Sequence, residues 1–242
     1  MAGGKKVLAP APRPGVRRKM LSWLPRNVST FGGDVDSIFT MIYYIVGIWF
    51  IATQVFLLYC IIRFRRRDGQ KSDYTPGNTM SQMMWILIPC ALVLVLDLWI
   101  DFRGADVWAK VKINQPASQV VVRLTAKQFN WIFTYPGPDG KFGTKDDKKF
   151  QNDMHVPVNK VVRIILTGED VIHSFFVPEM RLKQDVVPGR EIPAWFEATQ
   201  TGKYEIPCAE LCGTGHTGMK GFLYVHPEAE YKNWVAKNWP GS

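Results

Sequence analysis

Two long apolar stretches are followed by short apolar runs interleaved with polar residues, so the hydrophobic pattern changes its period once, near residue 100. From Ser37 to Ile62 no residue is charged. Its apolar part, IFTMIYYIVGIWFIATQVFLLYCII, would extend about 37 Å as a helix against a hydrocarbon core of about 30 Å, which predicts a membrane span. Met80 to Ile100 predicts a second span, with Asp97 as its only charge and Pro89 as the expected kink. The two make a transmembrane hairpin over 37–100, with helices at 37–62 and 80–100. Beyond it, VVVRLTA, FNWIFTY, KVVRIILTG, AWFEAT and GFLYVH are short β-branched or aromatic runs separated by turn-forming stretches such as YPGPDGKFGTKDD and VPGR. Their spacing predicts a β-sandwich or Greek-key barrel over 101–242, with a short amphipathic helix in EAEYKNWVAKNW.

Charge refines this picture. The formal net charge is +9, of which +7 falls in residues 1–100 and only +2 in 101–242. The excess flanks the apolar runs, as in ordinary membrane proteins, which argues against a nucleic-acid partner. Residues 1–36 form a basic N-terminal extension with APAPRP and two glycine pairs, and without a secretory leader pattern. It reads as a solvated tail, or as a segment docking on a partner subunit or anionic headgroups. The loop RFRRRDGQKSDYTPGN favours the cytoplasmic side and puts both termini outside, but the basic extension opposes it, so charge alone leaves the orientation open.

Of four cysteines, Cys60 and Cys90 lie inside apolar runs and read as small hydrophobes. Cys208 and Cys212 need a chemical explanation. They stand with His216 and Met219 in CAELCGTGHTGM, where two thiolates, an imidazole and a thioether form a soft-to-borderline donor set suited to an electron-transfer copper site. A second cysteine, beyond what mononuclear blue copper uses, allows two thiolates to bridge two copper ions. A disulfide and a structural zinc site are the competing readings, and zinc has little use for the thioether. A second histidine must come from another strand, with His155, His173 and His226 as the choices.

CAELCGTGHTGM resembles the dinuclear copper loop of the cytochrome c oxidase subunit II family, and VIHSFFVPEMRLKQDVVPGR resembles that family's other ligand segment. The resemblance extends from Ser37 to Trp234. It implies a membrane protein in which the two-helix hairpin is followed by a cupredoxin-type all-β barrel on the outer side of a bacterial plasma membrane, both termini out; a mitochondrial inner membrane is the less favoured setting. It implies His173 and His216 as imidazole ligands, Cys208 and Cys212 as bridging thiolates, and Met219 as a weak axial ligand. Glu210 would ligate copper through its backbone carbonyl, while its carboxylate reaches a magnesium or manganese ion at the subunit I boundary. Asp185 and Arg190 match positions near that boundary and are taken as interface groups.

The implied function is that of the electron-input subunit of a respiratory oxidase. A cytochrome c, or a membrane-held c-type cytochrome within a supercomplex, would supply electrons that pass to haem in subunit I, where oxygen is reduced to water with proton translocation. Subunit III is a further implied partner. The chain has no C-x-x-C-H and so is expected to bind no haem itself. Alternatives are the electron-input subunit of a copper-dependent nitric oxide reductase and a membrane-bound copper carrier.

Three departures from the family pattern stand out. The tryptophan usually taken as the point where electrons arrive is replaced by Phe129, with Trp131 two residues later as the substitute expected between the donor-facing surface and copper. Gln82 replaces a carboxylate ahead of Trp85 and Pro89, so it supplies no ionisable group for proton uptake. The loop at 136–149 holds Asp139, Asp146 and Asp147 without the spaced acids of an EF-hand, and reads as a long turn rather than a calcium site. Acids such as Glu169, Asp170, Glu179, Glu197 and Glu205 are mixed with lysines, which predicts donor docking of weak salt dependence.

Overall fold

The computed structural model describes residues 24–71 and 74–240; most of the basic extension therefore lies outside the described residues. Helix α1 (Gly32–Arg63) and helix α2 (Met80–Trp108) carry the apolar runs, and α2 continues into one π-type turn at Ala109–Ile113. Both helices are long and apolar enough to cross a membrane. Their large side chains point outward rather than into a common core, Ile48, Ile62 and Trp85 among them, as suits helices solvated by lipid or by another membrane chain. Both extend past the charge-free runs, because α1 begins before Asp34 and Asp36 and α2 includes Asp101, Arg103 and Asp106. Helical hydrogen bonding does not stop where hydrophobicity stops.

The remainder is a two-layer β structure. One sheet has the order β3 (Lys148–Gln151), β2 (Asn130–Tyr135), β1 (Val120–Lys127), β5 (Val161–Gly168), β8 (Ile192–Glu197). The other has β4 (Asp153–Pro157), β10 (Lys220–His226) and β9 (Gly202–Pro207), and a hairpin of β6 (His173–Val177) with β7 (Leu182–Val186) completes the wall. β1 and β5 run parallel with Val122 opposite Ile164 and Leu124 opposite Leu166, and these inward positions alternate with half-exposed ones as a two-residue period requires. Trp131, Phe133 and Tyr135 take the inward face of β2. With Met154, Val156, Leu223 and Val225 from the facing sheet they form one core.

The barrel is fastened to its anchor at several points. Asn27–Phe31 lies against it: Ser29 bridges Ala198, the N–H of Val28 donates to Glu179 O at 2.9 Å, and Phe31 is fully buried edge-on to Trp195 at 5.2 Å. Arg181 meets Asp36 of α1 through Nε at 2.6 Å, with both side chains about nine-tenths buried. Trp195 Nε1 donates to Val111 O, just past α2, at 2.9 Å.

Helix α3 (Glu228–Asn238) packs Trp234 against Tyr135, Phe150 and His155. The His155 ring is stacked between Tyr224 at 4.7 Å and Trp234 at 4.8 Å, and its Nδ1 is 2.8 Å from His226 Nε2. Burial first, then the proximity of His226, lowers its pKa from 6.5 to about 4, against an opposing effect of Asp153. Between those values the unfolded chain binds a proton that the folded one does not. The corresponding stability is therefore complete above pH 6.5 and lost as pH falls toward 4. Because the ring is only half-buried, the loss is about 1–2 kcal/mol. Thermal unfolding of the detergent-solubilised protein should show a melting temperature that drops between pH 7 and 4.5, and less so in His155→Phe; equal slopes in the two would refute the assignment.

Candidate metal centre

The centre is built by two segments brought together across the barrel end. His173 opens β6, while Cys208, Cys212, His216 and Met219 occupy the loop from β9 to β10. β6 is tied to that loop by a bridge between Phe175 and Cys208 and by Ala209 N–H donating to Ser174 O at 3.0 Å. The loop's two ends are closed by Cys208 N–H donating to Met219 O at 3.0 Å. These bonds are local to the strand ends, so the donor atoms are placed by the same ladder that makes the barrel.

The donors form a chain. His173 Nδ1 lies 4.0 Å from Cys208 Sγ, the two sulfurs are 3.8 Å apart, and Cys212 Sγ is 3.6 Å from His216 Nδ1 and 3.8 Å from Met219 Sδ. The Glu210 carbonyl oxygen stands 3.3 Å from Cys208 Sγ, and the Glu210 side chain is exposed. Two donors each roughly 2.0–2.3 Å from a shared ion stand about 3.5–4 Å apart at tetrahedral to trigonal angles, so these spacings fit shared metal coordination. Soft sulfur with imidazole selects copper over the harder cations. Among the described residues, His173, Cys208 and Cys212 are the only cluster of three or more His, Cys, Asp or Glu ligand atoms within 4.8 Å of one another.

Burial pushes the Cys212 thiol up to about 11, with the neighbouring Cys208 adding to it, so binding a cation there displaces a proton. His173 is fully buried, and its Nε2 is 2.8 Å from Asp170 Oδ1. An ionised carboxylate only accepts, so Nε2 carries the hydrogen and the Nδ1 lone pair is left for the sulfur side. Burial opposes ionisation of Asp170, but hydrogen bonds from Gln128 N–H, His173 and Val171 N–H hold its carboxyl below the usual carboxylate range.

The turn between β1 and β2 forms a third wall. Gln128 Nε2 donates to Cys212 O at 2.6 Å. The Phe129 ring lies against the ligand loop, where a Cβ on Gly215 would meet Phe129 Cδ2 at 2.6 Å; Gly213 has φ of 130° and tolerates no side chain easily. Phe129 is half-buried, whereas Trp131 has no exposed surface, contacts His173 edge-on at 6.1 Å and donates from Nε1 to Ile206 O at 3.1 Å. Trp131 is thus buried against His173, and Phe129 is the more exposed of the two rings. Strand alternation dictates this, since Trp131 shares the inward face with Phe133.

Asp185 accepts from Ser174 Oγ at 2.7 Å and pairs with Lys183, and Arg190 is exposed beyond it. His155 and His226 lie with α3, apart from the ligand loop. In the 136–149 loop the carboxylates serve the loop itself: Asp139 accepts from Lys141 N–H, Asp147 from Gly143 N–H and Asp146 from Thr144 Oγ1.

A family model described as the periplasmic domain of cytochrome c oxidase subunit II matches residues 131–223. An alternative cytochrome c oxidase subunit 2 of Bradyrhizobium diazoefficiens is 31% identical over 235 residues, covering 88% of this chain and 82% of the relative. The chain belongs to the cytochrome c oxidase subunit II family. Within that family, cytochrome c oxidase subunit 2 of Synechocystis is 30% identical over 261 residues, covering 90% of this chain and 76% of the relative. A solved periplasmic domain of a cytochrome oxidase subunit II from Bradyrhizobium japonicum is 35% identical, covers 51% of this chain and 96% of that one, and superposes with a TM-score of 0.46. As a subunit II family member the chain has a two-helix membrane hairpin followed by a cupredoxin-type β-barrel. Gln128 and Ser174 are contacts of this centre that the ligand motif does not announce. Their types are too common in turns for the sequence to single them out.

Proposed function

We propose that this chain is the electron-input subunit of a haem-copper respiratory oxidase, receiving electrons from a c-type cytochrome and passing them to haem in subunit I, where oxygen is reduced with proton translocation. The observation that carries the reading is the convergence of His173, Cys208, Cys212, His216 and Met219, each with a donor atom 3.6–4.0 Å from a cysteine sulfur, at one end of the barrel. Cys208, Cys212, His173, His216 and Met219 would hold the copper, with both thiolates available to share it, and the metal would supply a one-electron couple. His173 and His216 cap opposite ends of the sulfur pair, Met219 approaches Cys212, and the Glu210 carbonyl approaches Cys208. The closed strand-end ladder keeps these donors in place through each change of charge.

The exposed Glu210 carboxylate would hold magnesium or manganese at the boundary with subunit I, with Asp185 and Arg190 on the same boundary. Val171, Ile172 and Leu211 are exposed apolar side chains in the ligand segments and suit burial by that partner. The division into a basic extension (1–36), a hairpin (37–100) and an outer copper domain (101–242), both termini on the outer side of a bacterial plasma membrane, follows from this role. Phe129, half-buried against the loop that carries Gly215, would meet a donor, and the fully buried Trp131 would stand beside His173 in the path to copper.

Copper analysis of the purified complex tests the reading. Two tightly held ions per chain with a mixed-valence spectrum are expected, whereas one exchangeable ion would favour a copper carrier. Co-purifying haem chains that reduce nitric oxide in place of oxygen would favour the reductase. With charges of both signs on the copper domain, donor oxidation should fall only modestly between low and physiological ionic strength; a steep fall would point to a strongly acidic docking face.

A further inference from the structure

The ligand segments are joined by a third piece of chain that supplies no ligand. Asp170 uses both carboxylate oxygens: Oδ1 accepts from Val171 N–H at 2.6 Å and from His173 Nε2 at 2.8 Å, and Oδ2 accepts from Gln128 N–H at 2.7 Å. From the same residue, the Gln128 side chain donates to the Cys212 carbonyl at 2.6 Å. One turn residue thus holds the histidine arm through Asp170 and the cysteine arm directly. Without it, the fixed points between the arms are the backbone contacts at Phe175–Cys208 and Ser174–Ala209, neither of which constrains the imidazole ring.

We propose that Asp170 and Gln128 form a strut that positions the centre: Asp170 fixes the tautomer and orientation of His173, and Gln128 sets the separation of His173 from Cys212. The inference rests on the copper reading above and adds residues to it that are not ligands. A carboxylate behind a metal-bound imidazole raises its basicity and favours the more positive oxidation state. Removing that charge should therefore shift the couple toward the reduced form. Gln128 is neutral, so its loss should loosen the centre while disturbing the couple less.

The test uses the intact purified complex carrying wild-type chain, Asp170→Asn, Gln128→Leu, or Glu169→Gln as a neighbouring-charge control. Retention of copper during dialysis against a chelator and the reduction potential from a spectroscopic titration are measured for each. For Asp170→Asn, copper affinity should fall about 10–100-fold. Its redox equilibrium should move about tenfold toward the reduced form, about 59 mV for one electron. Glu169→Gln should change the equilibrium less than about twofold, because the bond to His173 comes from Asp170 and a neighbouring surface charge acts on the centre only through screened solvent. Gln128→Leu should lose copper faster with a smaller shift in potential.

Asp170→Asn matching wild type overturns the proposal, as does an equal shift in Glu169→Gln, which would make the effect one of charge alone. If Asp170→Asn takes up no copper, Gln128→Leu decides, since it leaves the carboxylate in place; wild-type retention there overturns the strut. A wild-type complex without copper overturns the copper reading as well, so the two failures are distinguishable.

Discussion

Replacing Cys212 by serine is expected to abolish electron input while leaving the oxidase assembled. Cys212 Sγ has Cys208, His216 and Met219 donors all within 3.8 Å, so it is the hub through which the histidine and methionine side of the centre is joined to Cys208. Serine preserves the volume within the loop but offers a hydroxyl that stays protonated at neutral pH and is hard where sulfur is soft. Oxidation of a reduced c-type cytochrome should fall by more than about 100-fold, beyond what loss of a supporting contact around a metal ligand produces. Haem content of the complex should not change. A serine variant that retained both its copper and its turnover would remove Cys212 from the ligand set.

Trp131→Ala should damage the protein by another route. The indole is fully buried, contacts His173 and Phe175 edge-on at 6.1 and 6.0 Å, and satisfies the carbonyl of Ile206. Its truncation empties the site of a fully buried indole and removes the indole's bond to Ile206 O, costing about 3–5 kcal/mol. The melting temperature should drop by several degrees and copper should leak, since the floor under His173 is gone. Trp131→Phe separates packing from electron transfer. If the aromatic carries electrons, donor oxidation slows in a variant that still folds and holds copper; unchanged oxidation confines Trp131 to packing.

The hairpin and the convergence of soft donors in one loop were legible in the sequence because each rests on a dense local signal: charge-free runs long enough to span lipid, and soft donors spaced within a dozen residues. Strands β1, β2, β5, β8 and β10 were legible for the same reason, being runs of β-branched and aromatic residues. Strands β3, β7 and β9 were not. KKFQ, LKQDV and GKYEIP owe their extended state to the partners they pair with rather than to their own composition, a tertiary effect that outweighs propensity. The inward turn of Trp131 depended on register, and a neighbouring Phe129 two residues away gave no hint of which ring would reach the surface. The bond from Gln128 to Cys212 joins positions 84 apart in sequence, and no local pattern encodes that distance.

The fastening of the barrel to its anchor sets how the protein can operate. With Phe31 sunk into the barrel, Asp36 gripped by Arg181 and Trp195 bonded to the end of the second helix, the copper domain is a fixed turret and not a pendulum on a tether. A pendulum could carry an electron from a distant donor to its acceptor by swinging. A turret would not swing: its height above the membrane and the distance to an acceptor below would stay constant, and on the proposed function the travelling would fall to the donor.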